Sequence, residues 1–354
     1  MKKIMLTGGG TAGHVTPHLA LLPELKARGF SVQYIGSYNG MEKDLVEAEK
    51  IPYFGISSGK LRRYFSWKNF SDPFRVIKGY FEAKKILKKE RPDVLFSKGG
   101  FVSAPVVWAA RRLKIPAVIH ESDMTPGLAN KLCFKAASKV CCNFPETVKY
   151  LPADKAVASG CPIRRELLAG SREEGLKFAG FDGKKPVLLV IGGSSGALSV
   201  NQKVRAILPE LLKTFDVVHR TGTGTQDESI KLPGYVQFEY ISEELKDLFA
   251  AAEVVISRAG ANAICELLAL QKPALLIPYG TAASRGDQVL NANSFVAQGY
   301  SEMLDEAAAT PEDVLQAVLA LYENRGKYIA AMAASPQADA ITTIADLLEE
   351  LAGA

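Results

Sequence analysis

Cysteine is scarce in this 354-residue chain: there are five, an odd number, and none stands in a C-x-x-C pair. That argues against a disulfide framework and a zinc site, and predicts a reduced, cytoplasmic protein. No stretch approaches the roughly 18 uninterrupted apolar residues of a membrane-spanning helix. The basic start Met1-Lys2-Lys3 leads into an apolar run that stops at Thr7, which predicts a first strand and no secretory signal. No Asp-x-Asp pair occurs anywhere, so no carboxylate clamp for a metal ion is indicated. Low-complexity segments are absent too. Acids are few in one half: residues 1–163 hold 26 Lys and Arg against 13 Asp and Glu, whereas the remainder holds 17 against 25. A basic half joined to an acidic half predicts that one side faces an anionic surface.

What the chain does have is glycine at the ends of short apolar runs. Ile4 to Thr7 reads as a buried strand, Gly8, Gly9, Gly10 and Gly13 as a tight turn, and Val15 onward, with Leu19, Leu22 and Leu25 at helical spacing, as a helix. Backbone N–H groups left bare at such a helix start suit a phosphate or another polar group. Gly8, Gly10 and Gly13 also satisfy G-x-G-x-x-G, but a dinucleotide site needs an acid about 20 residues further on to hold a ribose. The next strand, Ser31 to Ile35, ends in Gly36-Ser37, and the nearest acid, Glu42, lies well past it. The dinucleotide match is therefore weak. His14 is the unusual feature, because an imidazole at the mouth of a cleft is a base near neutral pH. Its plainer reading is a helix cap or a bond to a nearby backbone carbonyl.

The first half continues as alternating strands and helices. Strand Pro92 to Ser97 leads into Lys98-Gly99-Gly100, and strand Ile115 to His120 into Glu121-Ser122-Asp123. Ligands of open α/β sheets bind beyond the carboxyl ends of the strands, so His14, Gly99, Gly100, Glu121 and Asp123 are expected on one rim. Between Lys60 and Arg91 stand eleven Lys and Arg against three acids, interleaved with aromatics that include Trp67, Phe74 and Phe81. Phe74, Ile77, Phe81 and Ile86 fall along one helical face with lysines beside them, which is what attachment to an anionic bilayer surface requires. The alternative is a surface helix whose aromatics pack on the sheet. No nucleic-acid recognition motif accompanies the charge, and no nucleic-acid partner is expected.

Cys161-Pro162-Ile163-Arg164-Arg165 reads as a hinge, after which the pattern begins again. Strand Pro186 to Ile191 enters a second glycine turn, Gly192-Gly193-Ser194-Ser195-Gly196-Ala197. The echo predicts two similarly built α/β halves, Rossmann-like, over 1–163 and 164–336, with an amphipathic helix from Ala340 packed back against a domain. Strand Val254 to Ser257 leads to Arg258 and on to Glu266, placed early on a helix, either to bond a ribose diol or to partner the helix dipole. Strand Ala274 to Pro278 leads to a polar loop running from Ser284 to Asn293.

Five motifs, in one order, carry a resemblance that covers essentially the whole chain: Gly9-Gly10-Thr11-Ala12-Gly13-His14-Val15-Thr16-Pro17, His120-Glu121-Ser122-Asp123-Met124-Thr125-Pro126-Gly127, Gly192 to Ala197, Arg258-Ala259-Gly260-Ala261-Asn262-Ala263-Ile264-Cys265-Glu266, and Asp287-Gln288-Val289-Leu290-Asn291-Ala292. Together they resemble the MurG family of peptidoglycan N-acetylglucosaminyltransferases. The resemblance implies the GT-B fold, with two Rossmann-like domains across a cleft and a C-terminal helix (about 337–354) packed back on the N-terminal domain. It implies inverting transfer of N-acetylglucosamine from UDP-GlcNAc to the 4-hydroxyl of the lipid-linked muramoyl-pentapeptide lipid I, giving lipid II. No cofactor or metal is implied, UDP-GlcNAc being a substrate. The expected setting is the cytoplasmic face of the cell membrane, as a peripheral protein beside a cell-wall synthesis complex.

By position, the resemblance brings Thr11, Ala12, Gly13, Arg164, Ser194, Ala261 and Gln288 near the donor, puts Glu266 on the ribose hydroxyls, and has the Ile241 backbone read the uracil. His14 corresponds to the family's candidate base, with Glu121 as the other group in reach. Many members have Gly-Gly at Ala12-Gly13, Asn at Asp123 and Gln at Asp287. Asp123 still accepts a sugar-hydroxyl hydrogen bond but cannot donate one. The rivals are a UDP-GlcNAc 2-epimerase, a transferase that glycosylates diacylglycerol, and a catalytically silent UDP-sugar sensor docked on membranes.

Overall fold

A computed structural model describes residues 2–59, 68–192, 197–280, 286–335 and 339–353. It divides into two units, residues 1–164 with 337–354, and residues 165–336. In the first, β1 (Lys2–Thr7), β2 (Phe30–Ser37), β3 (Tyr53–Ile56), β4 (Val94–Ser97), β5 (Ala117–Glu121), β6 (Lys139–Cys142) and β7 (Ala156–Ala158) form a seven-stranded sheet in the order β3-β2-β1-β4-β5-β6-β7. Every pair is parallel. Parallel strands need helical crossovers that cover both faces, and the alternation of side chains shows both covered. Ile4 and Leu6 point to a layer with Leu21, Leu22 and Leu25, whereas Met5 between them points to a layer with Leu87, Val106 and Val107.

The C-terminal helix Ala340–Gly353 belongs to this first unit. Its Ile341, Ile344 and Leu348 enter the core beside Leu21 and Leu25, and Arg28 holds Asp346 at 2.5 Å and Glu349 at 3.2 Å. The C-terminal helix packing that the resemblance implies is present as an apolar stripe closing one sheet face.

The second unit holds β8 (Val187–Ile191), β9 (Asp216–Arg220), β10 (Tyr235–Phe238), β11 (Ala252–Ser257), β12 (Ala274–Leu276) and β13 (Ser301–Met303), ordered β10-β9-β8-β11-β12-β13 and again all parallel. Strand order reverses between β1 and β4 in one unit and between β8 and β11 in the other. Crevices open at such switch points, beyond the carboxyl ends. Each glycine turn of the sequence follows one of those four strands.

Candidate active site

In the first unit, β1 leads through Gly8–Gly10 into a 3₁₀ turn, Ala12–His14, and then the helix Thr16–Ala27. Gly10 has φ +89°, the left-handed region open to glycine. The Gly10 N–H, ahead of that turn, is taken: it donates to Glu42 Oε2 at 3.2 Å. The other oxygen of Glu42 accepts from Ser37 N–H at 2.9 Å and Ser37 Oγ–H at 2.5 Å. Glu42 is wholly buried, and a Cβ on Gly9 would come within 2.6 Å of its carboxyl carbon. The turn is therefore seated on the buried Glu42 side chain. Sequence reasoning set Glu42 aside as too distant for a ribose and missed this role. Its one signal was an acid in the first turn of the helix Met41–Ala48, where the helix dipole favours a carboxylate.

The second turn of this unit lies against the first. Gly99 and Gly100 have φ of +82° and +83°, and a Cβ on Gly100 would fall 2.3 Å from the Gly9 carbonyl oxygen. Lys98, just before them, ties two histidines together. Its carbonyl accepts from His14 Nδ1 at 2.9 Å. A carbonyl cannot donate, so in the neutral form of this half-buried ring the proton sits on Nδ1 and the lone pair on Nε2. The plainer reading of His14 is thus realised as the bond that gives it a base's tautomer. The Lys98 ammonium, buried, donates to His120 Nδ1 at 2.7 Å and Ser122 Oγ at 2.8 Å. His120 Nε2–H then donates to the Gly160 carbonyl at 2.9 Å. Burial first, and the Lys98 charge second, hold His120 well below the usual imidazole range, so it is neutral.

Glu121 shares the rim but is occupied. One carboxylate oxygen accepts from the N–H groups of Ser122 (2.9 Å) and Asp123 (3.1 Å), the other from Gly127 N–H (2.9 Å) and Asn130 Nδ2 (2.8 Å). Three donors from its own loop and one from Asn130 on the following helix Leu128–Cys133 make it the loop's organiser. Asp123 is half-buried at the crest of that loop, and Thr11 and Gly13 are exposed on theirs.

In the second unit, β8 ends at Ile191; Ser194 lies outside the described residues, as does Trp67 of the basic stretch. Ala261 opens the helix Ala261–Ala269 directly after β11. Glu266 is the sixth residue of that nine-residue helix, and no acid stands in its first turn. Dipole effects fade within the first turn, so the dipole alternative falls away. Ile241 is buried, and among the described residues no backbone–backbone hydrogen bond engages it. Neighbouring Tyr240 is 66% exposed. Asp287 and Gln288 open the helix Asp287–Ala297, and the Gln288 side-chain carbonyl accepts from Tyr279 N–H at 3.1 Å, which directs its amide nitrogen elsewhere. Arg164, the last residue of the first unit, has its Nε buried without a hydrogen-bond partner among the described residues.

Beneath this rim lies a network the sequence did not reveal. Arg258 donates to the Ile277 carbonyl at 2.8 Å and to Glu306 Oε1 at 2.5 Å, and its guanidinium sits 3.9 Å from the Tyr279 ring centroid. Glu306 also accepts from Ser199 Oγ–H at 2.6 Å. One ion pair thus joins the segments after β8, β11, β12 and β13. The first rim carries the half-buried His14 imidazole bonded through Nδ1, and the second carries the Gln288 side-chain amide at a helix start.

Two family models match the chain: the glycosyltransferase family 28 N-terminal domain over residues 4–142 and the family 28 C-terminal domain over residues 187–350. A Lachnospira eligens protein named UDP-N-acetylglucosamine--N-acetylmuramyl-(pentapeptide) pyrophosphoryl-undecaprenol N-acetylglucosamine transferase is 62% identical over 351 residues, 99% of each chain. A Clostridium botulinum (Loch Maree) protein of the same name is 55% identical over 99% of each. Among solved structures, MurG of Acinetobacter baumannii superposes with a TM-score of 0.78 at 27% identity, covering 99% of this chain and 100% of that one. A UDP-N-acetylglucosamine 2-epimerase, described as such for Listeria monocytogenes, superposes at 0.69 with 13% identity over 97% and 95% of the chains, a likeness of fold alone.

Proposed function

Since the chain belongs to glycosyltransferase family 28, it is a glycosyltransferase, and we propose that it transfers N-acetylglucosamine from UDP-GlcNAc to the 4-hydroxyl of lipid I with inversion, giving lipid II for peptidoglycan synthesis. The observation that carries this reading is identity of 62% along 99% of the chain to a transferase so named. The epimerase rival has fold likeness only.

The geometry supports a specific division of labour. His14 Nε2, its lone pair set by the Lys98 carbonyl, takes the proton of the acceptor 4-hydroxyl as that oxygen bonds the anomeric carbon. On the opposite face the bond to the UDP oxygen breaks, and the electron pair leaves with the diphosphate. The imidazolium so formed keeps its Nδ1–H bonded to the carbonyl and later gives its proton to solvent. Charge growing on the diphosphate needs preorganised donors, which Arg164, Ser194, the Ala261 helix start and Gln288 supply. Thr11, Ala12, Gly13, Asp123 and Asp287 flank the sugar. Glu266 binds the ribose diol and the Ile241 backbone the uracil. Turnover is tested by UDP release from UDP-GlcNAc with and without a lipid I analogue. Release only with acceptor is expected; UDP-ManNAc formed without acceptor would sink the reading in favour of an epimerase.

Features of the helix Lys68–Glu90 support a membrane-facing surface there. Its Ala83 and Leu87 are buried, while Phe74 is 74% and Phe81 61% exposed, with Ile77 also exposed. The alternative in which these aromatics pack on the sheet does not hold for Phe74 and Phe81. It does hold for Ile86, expected on the same face, which packs against the core with Tyr80. No described helix is long and apolar enough to cross a membrane. An apolar ridge flanked by Arg75, Lys78, Lys84 and Lys85 suits peripheral attachment to an anionic bilayer at its cytoplasmic face, where lipid I presents its sugar. Replacing Trp67, Phe74 and Phe81 together with Ser is expected to abolish sedimentation with phosphatidylglycerol vesicles while UDP binding stays unchanged. Undiminished vesicle binding would remove the proposed surface.

A further inference from the structure

Arg220 ends β9, in register with Ile191 at the end of β8 and with Phe238 of β10, two residues before Tyr240. Its side chain is 9% exposed. Among the described residues its Nε has no hydrogen-bond partner. What faces the guanidinium instead is the ring of Tyr240, 5.2 Å away at the centroid, and the attractive charge of Glu266. Burial pulls its pKa down, against the opposing pull of Tyr240 and Glu266. A buried guanidinium N–H without a hydrogen-bond acceptor is costly. A fold keeps one where something else completes it.

We infer that Arg220 is a binding residue for the nucleoside half of the donor, its guanidinium donating to acceptor oxygens of the base or ribose while Tyr240 covers one face. This rests on the UDP-GlcNAc reading above. Four features point to the nucleoside. Arg220 stands at the carboxyl end of its strand, where ligands of such sheets bind. It only donates, so its partner must carry acceptors such as pyrimidine carbonyls or hydroxyls. The neighbouring Glu266 carboxylate offsets its charge, which disfavours a diphosphate there and suits a neutral, oxygen-rich group. The exposed Tyr240 ring adds an aromatic face of the kind on which a base stacks.

The test uses the full chain as wild type, Arg220→Met and Arg220→Lys. Thermal midpoints are measured without ligand, and affinities for UDP by calorimetry and for uridine by competition. Arg220→Met removes a buried cation whose Nε–H lacks an acceptor among the described residues, so its ligand-free midpoint is expected to stay or rise. Its affinity for UDP is expected to fall about 10- to 100-fold, as for loss of a charged hydrogen bond, with uridine weakened by the same factor. Arg220→Lys keeps the charge without the planar fork and recovers part of the loss. A folded Met or Lys variant that binds UDP as the wild type does would overturn the inference. So would a lowered midpoint accompanying the affinity loss, which would make Arg220 a packing residue. Loss for UDP without loss for uridine would move it to the diphosphate and overturn the nucleoside assignment. Wild-type protein that does not bind UDP is a different result: it would sink the transferase reading itself.

Discussion

His14→Ala lowers kcat by about 10²- to 10⁴-fold, the usual contribution of a general base, while UDP-GlcNAc binds as before. The size follows from what the imidazole does: the acceptor hydroxyl is a poor nucleophile until its proton has somewhere to go. The selectivity follows from where the ring is held. His14 Nδ1 is bonded to the Lys98 carbonyl within the first unit, so its loss leaves the nucleotide-binding groups assigned to the second unit untouched. Steady-state kinetics with a lipid I analogue, alongside calorimetric titration with UDP-GlcNAc, separates the two. Equal loss of kcat and of donor affinity would make His14 a binding residue. A surviving rate would move the proton to Glu121 or solvent. Glu121 would first have to release donors among the four that hold it, which is why His14 is the stronger assignment.

Glu306→Ala destabilises the second unit by about 3–5 kcal/mol, the cost of leaving one partner of a buried ion pair alone. Arg258 has a side chain 6% exposed and Glu306 one 19% exposed, so water does little to replace the lost carboxylate. Removing Glu306 also orphans the Ser199 hydroxyl and unties the segments after β8, β11, β12 and β13. Donor affinity should therefore fall together with the thermal midpoint. A midpoint within about 1 °C of wild type would show that the network carries no stability, since about 1 kcal/mol moves a domain of this size by roughly 2–4 °C. The same pair gives the stability a pH dependence. Burial alone would raise the Glu306 pKa, but hydrogen bonds from Arg258 and Ser199 and the Arg258 charge outweigh it and hold it low. A depressed carboxylate contributes stability above its unfolded pKa of about 4.3 and loses it as pH falls through the folded value. The wild-type midpoint should fall on the acid side of that value more steeply than the variant's. Parallel pH profiles would exclude this contribution.

The two glycine turns, their strands and the restart of the pattern after Cys161 were legible along the chain, because glycine clusters and apolar period are local properties. So was the candidate base, since His14 stands one residue past a glycine turn. Glu266 was legible as a residue but not as a position: it sits mid-helix, a matter of where the helix begins.

The sequence by itself determined the family and the doubly wound α/β plan of each half, both of which are written in contiguous residues. Only the tertiary structure decided which polar groups complete one another across long separations. Glu42 reaches Gly10, Lys98 fixes the tautomer of His14, and Arg258 meets Glu306. It also showed that Arg220 is buried with its Nε unpartnered among the described residues. Such pairings depend on strand order and crossover, which bring together residues 32 to 84 positions apart. A buried charge is stable or costly according to those neighbours, and no local pattern encodes them.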